Sequence, residues 1–516
     1  MEKNRNTRIL KNSFWLYLRM ILNLGIALYS SRVLLNALGV DDFGTVGLLT
    51  SLIMMFMFFQ AAVSNVLQRF LNILIEKKDV SQAQIVFSMV VIFTVSATIA
   101  VLLGESFFCE WILTHKLKIA PEAMSSARFL FYCLLCAVFF QMTVLPWQEM
   151  VLAKEQMDFY AIICLCNSSA RLLLAMSLQL FCSRRLEIYG LGLIGIAMLY
   201  WTAAVLFCKW KNPESKFHLT WDRSLCKEML PFFSYTLVGG TLYSLSFQGI
   251  VVLLGAFFGP AVNAAYVVAN QLRTTTIQIS TCLAAAVKPQ MIQSYAGGEI
   301  EYMRKLFFSA CKLNFFALFF AVTPIMAERS YILKIWLKIV PEQASNFAFL
   351  LLLSALIASF SAIFALVNMA TGMNKNFEIK GRLITIGSLG VAYLVLKFDG
   401  PEWSPIAIFV SGEFIAAGYL LWDIKHQIGI SIMSYLKDVV APVAICSIAS
   451  WSILYSIKLL LPGDGICRLA TVFLLSLLIN FLLCFFFGCN KEEKTILLQL
   501  VQHLKHLFLH PKMLNS

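Results

Sequence analysis

Long apolar segments of about 20 residues recur along the whole chain, with short polar connections between them. Wound as a helix, a segment of this length matches the hydrocarbon thickness of a bilayer. Charged residues make up 13% of the 516 residues, too few to cover a soluble surface. Spanning segments must satisfy their backbone hydrogen bonds internally, and barrel strands would be shorter and alternating. The sequence therefore predicts an all-α polytopic membrane protein.

The apolar segments predict about 14 transmembrane helices, with no soluble domain between them. The predicted spans are residues 12–37, 44–75, 83–107, 125–151, 159–182, 190–208, 231–257, 262–290, 305–326, 346–371, 382–397, 404–423, 438–457 and 466–488.

The distribution of Lys and Arg predicts the orientation of these spans. If the N-terminus is cytoplasmic, cytoplasmic segments hold roughly 24 of these residues and outer loops roughly 10. Both termini are then cytoplasmic. The net charge of +13 reflects this topology and attraction to anionic lipid, so nucleic acid is not an expected partner. Residues 491–516 form an amphipathic tail, whose stripe from Lys491 to His510 predicts a helix on the inner leaflet.

The chain also repeats itself at an offset of about 220 residues. Gly39 aligns with Gly259, and residues 80–87 align with residues 300–307. Six spans separate the copies, which predicts two parallel six-helix lobes with a central cavity, plus two extra C-terminal spans. The predicted divisions are an N-terminal lobe (1–210), a cytoplasmic linker (211–230), a C-terminal lobe (231–425), spans 13 and 14 (426–490) and the tail (491–516).

Motifs for chemistry are missing from the sequence. It has no nucleotide-binding glycine pattern and no HExxH, and the CxxC at Cys133 and Cys136 lies in an apolar helix. We therefore expect no catalytic residue, cofactor or metal. No outer loop exceeds about 20 residues, which disfavours an integral-membrane polysaccharide polymerase or ligase.

Positive charges inside the spans are the strongest functional signal. An arginine at the bilayer centre costs about 2.5–3.5 kcal/mol, so its position calls for an explanation. Guanidinium groups match phosphate well, and the spans show no paired carboxylates, so we predict a cavity that binds a pyrophosphate. The candidate residues are Arg19, Arg69, Arg273, Arg32 and Arg171. Arg128 and Lys312 lie nearer span ends and are expected to snorkel to the interface.

The nearest embedded acids are Glu149 and Glu413. Glu149, near the inner end of span 4, is a candidate coupling acid, although a solvated interfacial carboxylate is favoured; the second is Glu413 in span 12. Gln248, Asn270, Gln271 and Tyr243 are candidate sugar contacts, equally consistent with packing.

Four segments carry a resemblance to a known family. NSFWLYLRMILNLGIALYSSRVLLNALGVDDFGTVGLL (residues 12–49) resembles the first hairpin of Wzx-type polysaccharide-biosynthesis (O-antigen) flippases, as does QRFLN (residues 68–72). FFGPAVNAAYVVANQL (residues 257–272) and ATGMNKNFEIK (residues 370–380) resemble later parts of the same proteins. These flippases belong to the MOP exporter superfamily, with MATE multidrug exporters and lipid II flippases.

The resemblance implies two lobes that alternate between inward- and outward-facing forms. It implies movement of an undecaprenyl-pyrophosphate oligosaccharide, such as an O-antigen, capsule or exopolysaccharide repeat unit, to the periplasmic leaflet of the bacterial inner membrane. Expected partners are this lipid-linked substrate, membrane lipids and other polysaccharide-assembly proteins.

The resemblance also bears on particular residues. Lipid II flippases use arginines of spans 1, 2 and 8, which implies this role for Arg19, Arg69 and Arg273, and their spans 13 and 14 hold the lipid tail. MATE exporters carry an acid in span 1 that this chain lacks, which disfavours the alternative of a cation-coupled drug or metabolite antiporter.

Overall fold

In the computed structural model, all regular elements of the described residues are helices. The structure describes residues 2–55, 60, 63–64, 67, 70–71, 74, 79–115, 120–181, 183–218, 222–373, 376–460, 463, 465–490 and 493–494. The all-α membrane class predicted from the sequence is confirmed.

The helices are named here in chain order. They are α1 (Glu2–Leu38), α2 (Val40–Met54), α3 (Val80–His115), α4 (Pro121–Thr143), α5 (Leu145–Ala153), α6 (Met157–Ser177), α7 (Arg185–Lys211), α8 (Arg223–Phe257), α9 (Pro260–Ala296), α10 (Ile300–Ala327), α11 (Arg329–Leu337), α12 (Ala344–Thr371), α13 (Arg382–Lys397), α14 (Ser404–Ile428), α15 (Ile432–Tyr435), α16 (Ala441–Leu460) and α17 (Ile466–Leu483). Single π-helical segments, Leu436–Val440 and Cys484–Gly488, precede α16 and follow α17.

Within the described part of the chain, 12 helical stretches are long and apolar enough to cross a membrane. They correspond to every predicted span except the second and the eighth. The second predicted span, 44–75, runs from α2 into residues outside the described set. The eighth lies in α9, a single helix of 37 residues that is long enough to cross but carries Asn270, Gln271 and Arg273. Its polar residues lower its hydropathy below that of the 12.

The chain divides into two compact units. Unit 1 comprises Met1–Gln271, Lys334–Phe347 and Glu378–Phe409, and unit 2 comprises Leu272–Leu333, Ala348–Phe377 and Val410–Ser516. The lobe boundaries predicted from the sequence stay predictions.

In unit 1, α1 packs along α6, α4 along α7, and α8 against α2 and α13. Gly44 in α2 allows a close approach, because an added Cβ would lie 1.9 Å from the Pro260 carbonyl oxygen at the start of α9. The Trp336 indole donates to the Leu28 carbonyl oxygen at 2.7 Å, which joins α11 to α1.

In unit 2, α16 and α17 pack on α10. At one end of α10, Arg468 forms an ion pair of 2.9 Å with Glu328, and Lys458 donates to the Ala327 carbonyl oxygen. Near the other end, Phe307 and Tyr435 stack with 5.7 Å between ring centroids. The two spans after residue 425 are therefore attached to α10 at both ends.

The predicted repeat is visible in the helix boundaries. Gly39 and Gly259 both have positive φ, 86° and 91°, and each lies between two helices. Glycine is favoured in this backbone conformation because glycine has no Cβ. The helices that follow begin at Val40 and at Pro260, and the next pair begin at Val80 and at Ile300, at the same offset.

Candidate functional site

Unit 1 contains a cavity of about 430 Å³, a volume typical of small-ligand sites. Helices α1, α2, α6, α7, α8 and α9 contribute to its walls. The polar and charged residues that line it are Ser30, Ser31, Thr50, Ser51, Arg171, Tyr189, Gln248, Tyr266, Asn270 and Gln271. Arg171 is the single charged side chain among the described lining residues, and none of these residues is a carboxylate. We call this space the Arg171 cavity.

Arg171 lies in α6, about 21 Å along the helix from Met157. Its neighbour in the cavity lining is Tyr189 in the second turn of α7, which is close enough for an electrostatic interaction with the guanidinium. The described residues form no ion pair with Arg171 within 4.0 Å. The cavity therefore presents a positive charge beside a phenol, next to hydroxyl and amide groups.

Three of the candidate sugar contacts line this same cavity. Gln248 is in α8, and Asn270 and Gln271 are in α9. The sequence left packing as an equal explanation, and the structure places these amides in the lining of the same cavity as Arg171. The side chain of Tyr243 lies outside the described residues.

A second arginine, Arg19 in α1, packs against α6, the helix that also carries Arg171. Its guanidinium lies over the ring of Tyr160 in α6, 4.7 Å from the centroid. Its Nη1 atom lies 3.9 Å from the Cys164 sulfur, which in turn lies 3.9 Å from the Tyr200 hydroxyl. Arg19 has no ion-pair partner within 4.0 Å in the described chain, and its buried Nε has no hydrogen-bond partner there. We call these residues the Arg19 site.

The two positions lie at different levels. Tyr160 precedes Arg171 by about 16 Å of α6, and Arg19 precedes Ser31 by about 18 Å of α1. Since α1 and α6 pack along each other, one helix pair presents a cation at each of two depths.

Glu149 belongs to the surroundings of the Arg19 site. It is 7% exposed and interacts electrostatically with Tyr160. Its Oε2 atom is buried and has no hydrogen-bond partner among the described residues. The sequence favoured a solvated interfacial carboxylate, and this is wrong because the start of α5 is packed inside the helix bundle.

Arg273 differs from the sequence expectation. It is 4% exposed in unit 2, where its Nε donates to Ser354 at 3.0 Å and its Nη2 lies 3.3 Å from Glu413 Oε1. Ser354 in turn donates to the other oxygen of Glu413. The absence of a carboxylate partner was part of the argument for a ligand-binding role, so that part of the argument fails for Arg273. Its charge is balanced within the protein.

The remaining basic residues have varied surroundings. Arg32 is half-buried and does not line the Arg171 cavity, and Arg69 lies outside the described residues. Arg128 forms an exposed pair with Glu110 at 3.3 Å. Lys312 was expected to snorkel, but it is 4% exposed and pairs with Glu493 at 2.7 Å, because the chain after α17 returns to α10.

Sequence reasoning missed Tyr189 and the pair Ser30–Ser31 as parts of the site. Two adjacent serines inside an apolar span, next to Arg32, were the available signal. Tyr189 gave none, since tyrosine near a helix end is usual at a membrane interface.

No protein-family model and no curated protein sequence matches this chain. Solved structures do share its fold. The lipid II flippase MurJ in an inward closed conformation aligns with a TM-score of 0.70 and 12% identity, over 93% of this chain and 98% of its own.

Two further structures are transporters of the MOP superfamily. An inward-facing multidrug-resistance MATE transporter aligns with a TM-score of 0.63 and 14% identity, over 80% of this chain and 98% of its own. A transporter from Pyrococcus furiosus, described as having a binding pocket of reversed polarity, aligns with a TM-score of 0.58 and 15% identity, over 81% and 96%. This chain therefore has the fold of the MATE and MurJ transporters.

Proposed function

We propose that this protein is a flippase that moves an undecaprenyl-pyrophosphate-linked oligosaccharide from the cytoplasmic to the periplasmic leaflet of a bacterial inner membrane. Both termini are then cytoplasmic, and transport proceeds by alternating access. The O-antigen, capsule and exopolysaccharide repeat units are the substrates that the sequence resemblance suggests.

The observation that carries the proposal is the composition of the Arg171 cavity. A cation with no carboxylate on the described walls favours an anionic ligand, and a guanidinium can hold two phosphate oxygens at once. The amides of Gln248, Asn270 and Gln271 suit the hydroxyls of a sugar attached to that phosphate. A long polyprenyl tail would remain in the lipid.

The two arginine levels suggest how the head group moves. The Arg19 site lies nearer the starts of α1 and α6, which the proposed orientation places on the cytoplasmic side. We infer that the pyrophosphate first meets Arg19 and then Arg171, about 16 Å further along α6. Each arginine avoids an uncompensated charge only when water or an anion reaches it.

A flipping assay tests the proposal. The purified protein is placed in liposomes that contain a fluorescent undecaprenyl-pyrophosphate oligosaccharide, and a membrane-impermeant quencher measures how much label reaches the other leaflet. We expect protein-dependent flipping that Arg171→Ala reduces and Arg128→Ala leaves unchanged. Flipping no faster than in empty liposomes would reject the function.

A cation-coupled antiporter is the second candidate, and the buried carboxylate of Glu149 favours it. The same liposomes distinguish the two functions with a cationic dye and an imposed proton gradient. Gradient-dependent dye transport that Glu149→Gln abolishes, without lipid flipping, would support the antiporter.

A further inference from the structure

A second cavity, of about 550 Å³, lies in unit 2 where several chain segments meet. Its walls come from the first turns of α10, the π-helical segments Leu436–Val440 and Cys484–Gly488, and the residues Cys489, Asn490 and Glu493. We call this space the lysine cavity.

Three lysines and two acids line the lysine cavity: Lys305, Lys312, Lys437, Asp438 and Glu493. Lys312 and Glu493 neutralise each other at its floor. Lys312 Nζ lies 2.7 Å from Glu493 Oε2, and Ser309 donates to Glu493 Oε1 at 2.8 Å.

The backbone completes this floor. The Asn490 N–H donates to Glu493 Oε2 at 2.9 Å, and the Glu493 N–H donates to Asn490 Oδ1 at 2.9 Å. Such a reciprocal pair fixes the start of a helix. In the described part of the chain, the Glu493 carboxylate therefore accepts three hydrogen bonds, from Lys312, Ser309 and the Asn490 N–H, and both of its oxygens are occupied.

The lysines at the rim are different. Lys305 and Lys437 are exposed, and neither forms an ion pair within 4.0 Å in the described part of the chain, nor does Asp438. With the floor neutral, two ammonium groups and one carboxylate give the described lining residues of the rim a net positive charge. Both lysines can turn toward an anion placed in the cavity.

The rim also borders the apolar surface of the spans. Phe487 lines the cavity and is 64% exposed, and Met433 and Leu436 nearby are 73% and 43% exposed. Large apolar side chains exposed at the ends of membrane spans face lipid. The cavity is thus polar inside and opens where acyl chains would lie.

We propose that the lysine cavity binds a phosphate group, that of an anionic lipid head group, between Lys305 and Lys437. Basic pockets between transmembrane helices bind anionic lipid head groups by this combination of charge and depth. The Lys312–Glu493 pair shapes the floor without competing for the ligand. The described lining residues of the site and of the Arg171 cavity do not overlap, so the site is tested independently of the flippase proposal.

The test uses the full chain, purified in a neutral detergent and titrated with phosphatidylglycerol, with native mass spectrometry counting the bound lipid. We expect Lys305→Gln and Lys437→Gln each to weaken the tightest binding roughly fivefold, and the double variant roughly 25-fold. Lys425→Gln, an exposed lysine at the end of α14 outside the cavity, should bind as the wild type does. Matching thermal unfolding midpoints without lipid would show that the variants fold.

Two further arms identify the ligand. Phosphatidylcholine, which has a phosphate but no net charge, should bind no more tightly to the wild type than to the double variant. Inorganic phosphate should not displace phosphatidylglycerol at millimolar concentration. Displacement by inorganic phosphate would overturn the lipid as the source of the phosphate, and equal binding of phosphatidylglycerol to wild type and double variant would overturn the site.

Discussion

Arg273 and Glu413 form a buried ion pair in unit 2, with 3.3 Å between Nη2 and Oε1, and Ser354 hydrogen-bonds to both side chains. The pair joins α9 to α14, and α12 supplies the serine. A buried pair is costly to break because the remaining charge stays in a poorly solvated place. It gives the first prediction.

Removing one partner of this pair should destabilise the fold. Glu413→Ala leaves Arg273 without its counter-ion and is expected to cost about 3–5 kcal/mol, seen as a lower midpoint of thermal unfolding in detergent. The double variant Arg273→Met/Glu413→Met removes both charges and should recover most of the loss. The exposed ion pair between Arg128 and Glu110 provides the control. Glu110→Ala should lower the free energy of unfolding by only about 0–1 kcal/mol. If the double variant is as unstable as the sum of the single variants, the pair is not coupled.

Arg171 should carry much of the affinity for the substrate head group. Arg171→Ala removes a charge-assisted contact of about 1.5–3 kcal/mol, so initial flipping rates at low substrate should fall roughly 10- to 100-fold. Arg171→Lys should recover only part, since an ammonium cannot hold two oxygens in the same plane. A flipping rate of Arg171→Ala equal to that of the wild type would remove Arg171 from the proposed path.

Tyr160 should act by positioning Arg19. The contact between the guanidinium and the ring face, 4.7 Å from the centroid, has an expected strength of about 0.5–2 kcal/mol. Tyr160→Leu removes the ring face and should lower flipping, whereas Tyr160→Phe keeps it and should lower flipping less. A positioning role also predicts that adding Tyr160→Leu to the Arg19→Ala variant lowers the flipping rate little further. If the double variant shows the full flipping loss of both single variants, Tyr160 does not act through Arg19.

Gly44 should resist substitution. A Cβ at this position would lie 1.9 Å from the Pro260 carbonyl oxygen, so Gly44→Ala forces α2 and the start of α9 apart. Overpacking of this kind costs about 1–3 kcal/mol. Gly25, in α1, has no atom within 4 Å of its added Cβ, so Gly25→Ala should be neutral or slightly stabilising. Thermal unfolding of the two variants checks this, and equal midpoints would show that α2 can shift freely.

The orientation can be measured directly. Reporter fusions after Lys78, Lys216 and Lys491 should all report the cytoplasm, since basic loops stay on that side of the membrane. A fusion after Arg185, which lies between predicted spans 5 and 6 and is one membrane crossing from each neighbouring cytoplasmic loop, should report the periplasm. A periplasmic signal at Lys216 would overturn the proposed topology.

The sequence predicted the elements of the fold well because each is encoded locally. Helices α3 and α12 are continuous apolar segments, and no tertiary information is needed to recognise them. The repeat could be recognised because Gly39 and Gly259 occupy the same place in each copy, where the backbone has a positive φ that favours glycine. The sequence also predicted α9, as span 262–290, although Asn270 and Arg273 lower the hydropathy of this helix.

The partners of buried charges could not be predicted in the same way. Arg273 and Glu413 are 140 residues apart, and Lys312 and Glu493 are 181 apart. The apolar pattern shows that a charge lies inside a span and is therefore costly. It does not show which helix supplies the partner of that charge. Arg171 could therefore be proposed as a ligand contact, whereas its neighbour Tyr189 could not.

The bond between Lys312 and Glu493 makes the chain after α17 part of the stability of α10. Glu493 is the counter-ion of an ammonium group buried inside a membrane span, although it follows the last span in the sequence. A protein shortened at Asn490 would keep every transmembrane helix and still lose the charge that Lys312 needs. Affinity tags and protease sites therefore belong well beyond residue 494, where they leave this bond intact.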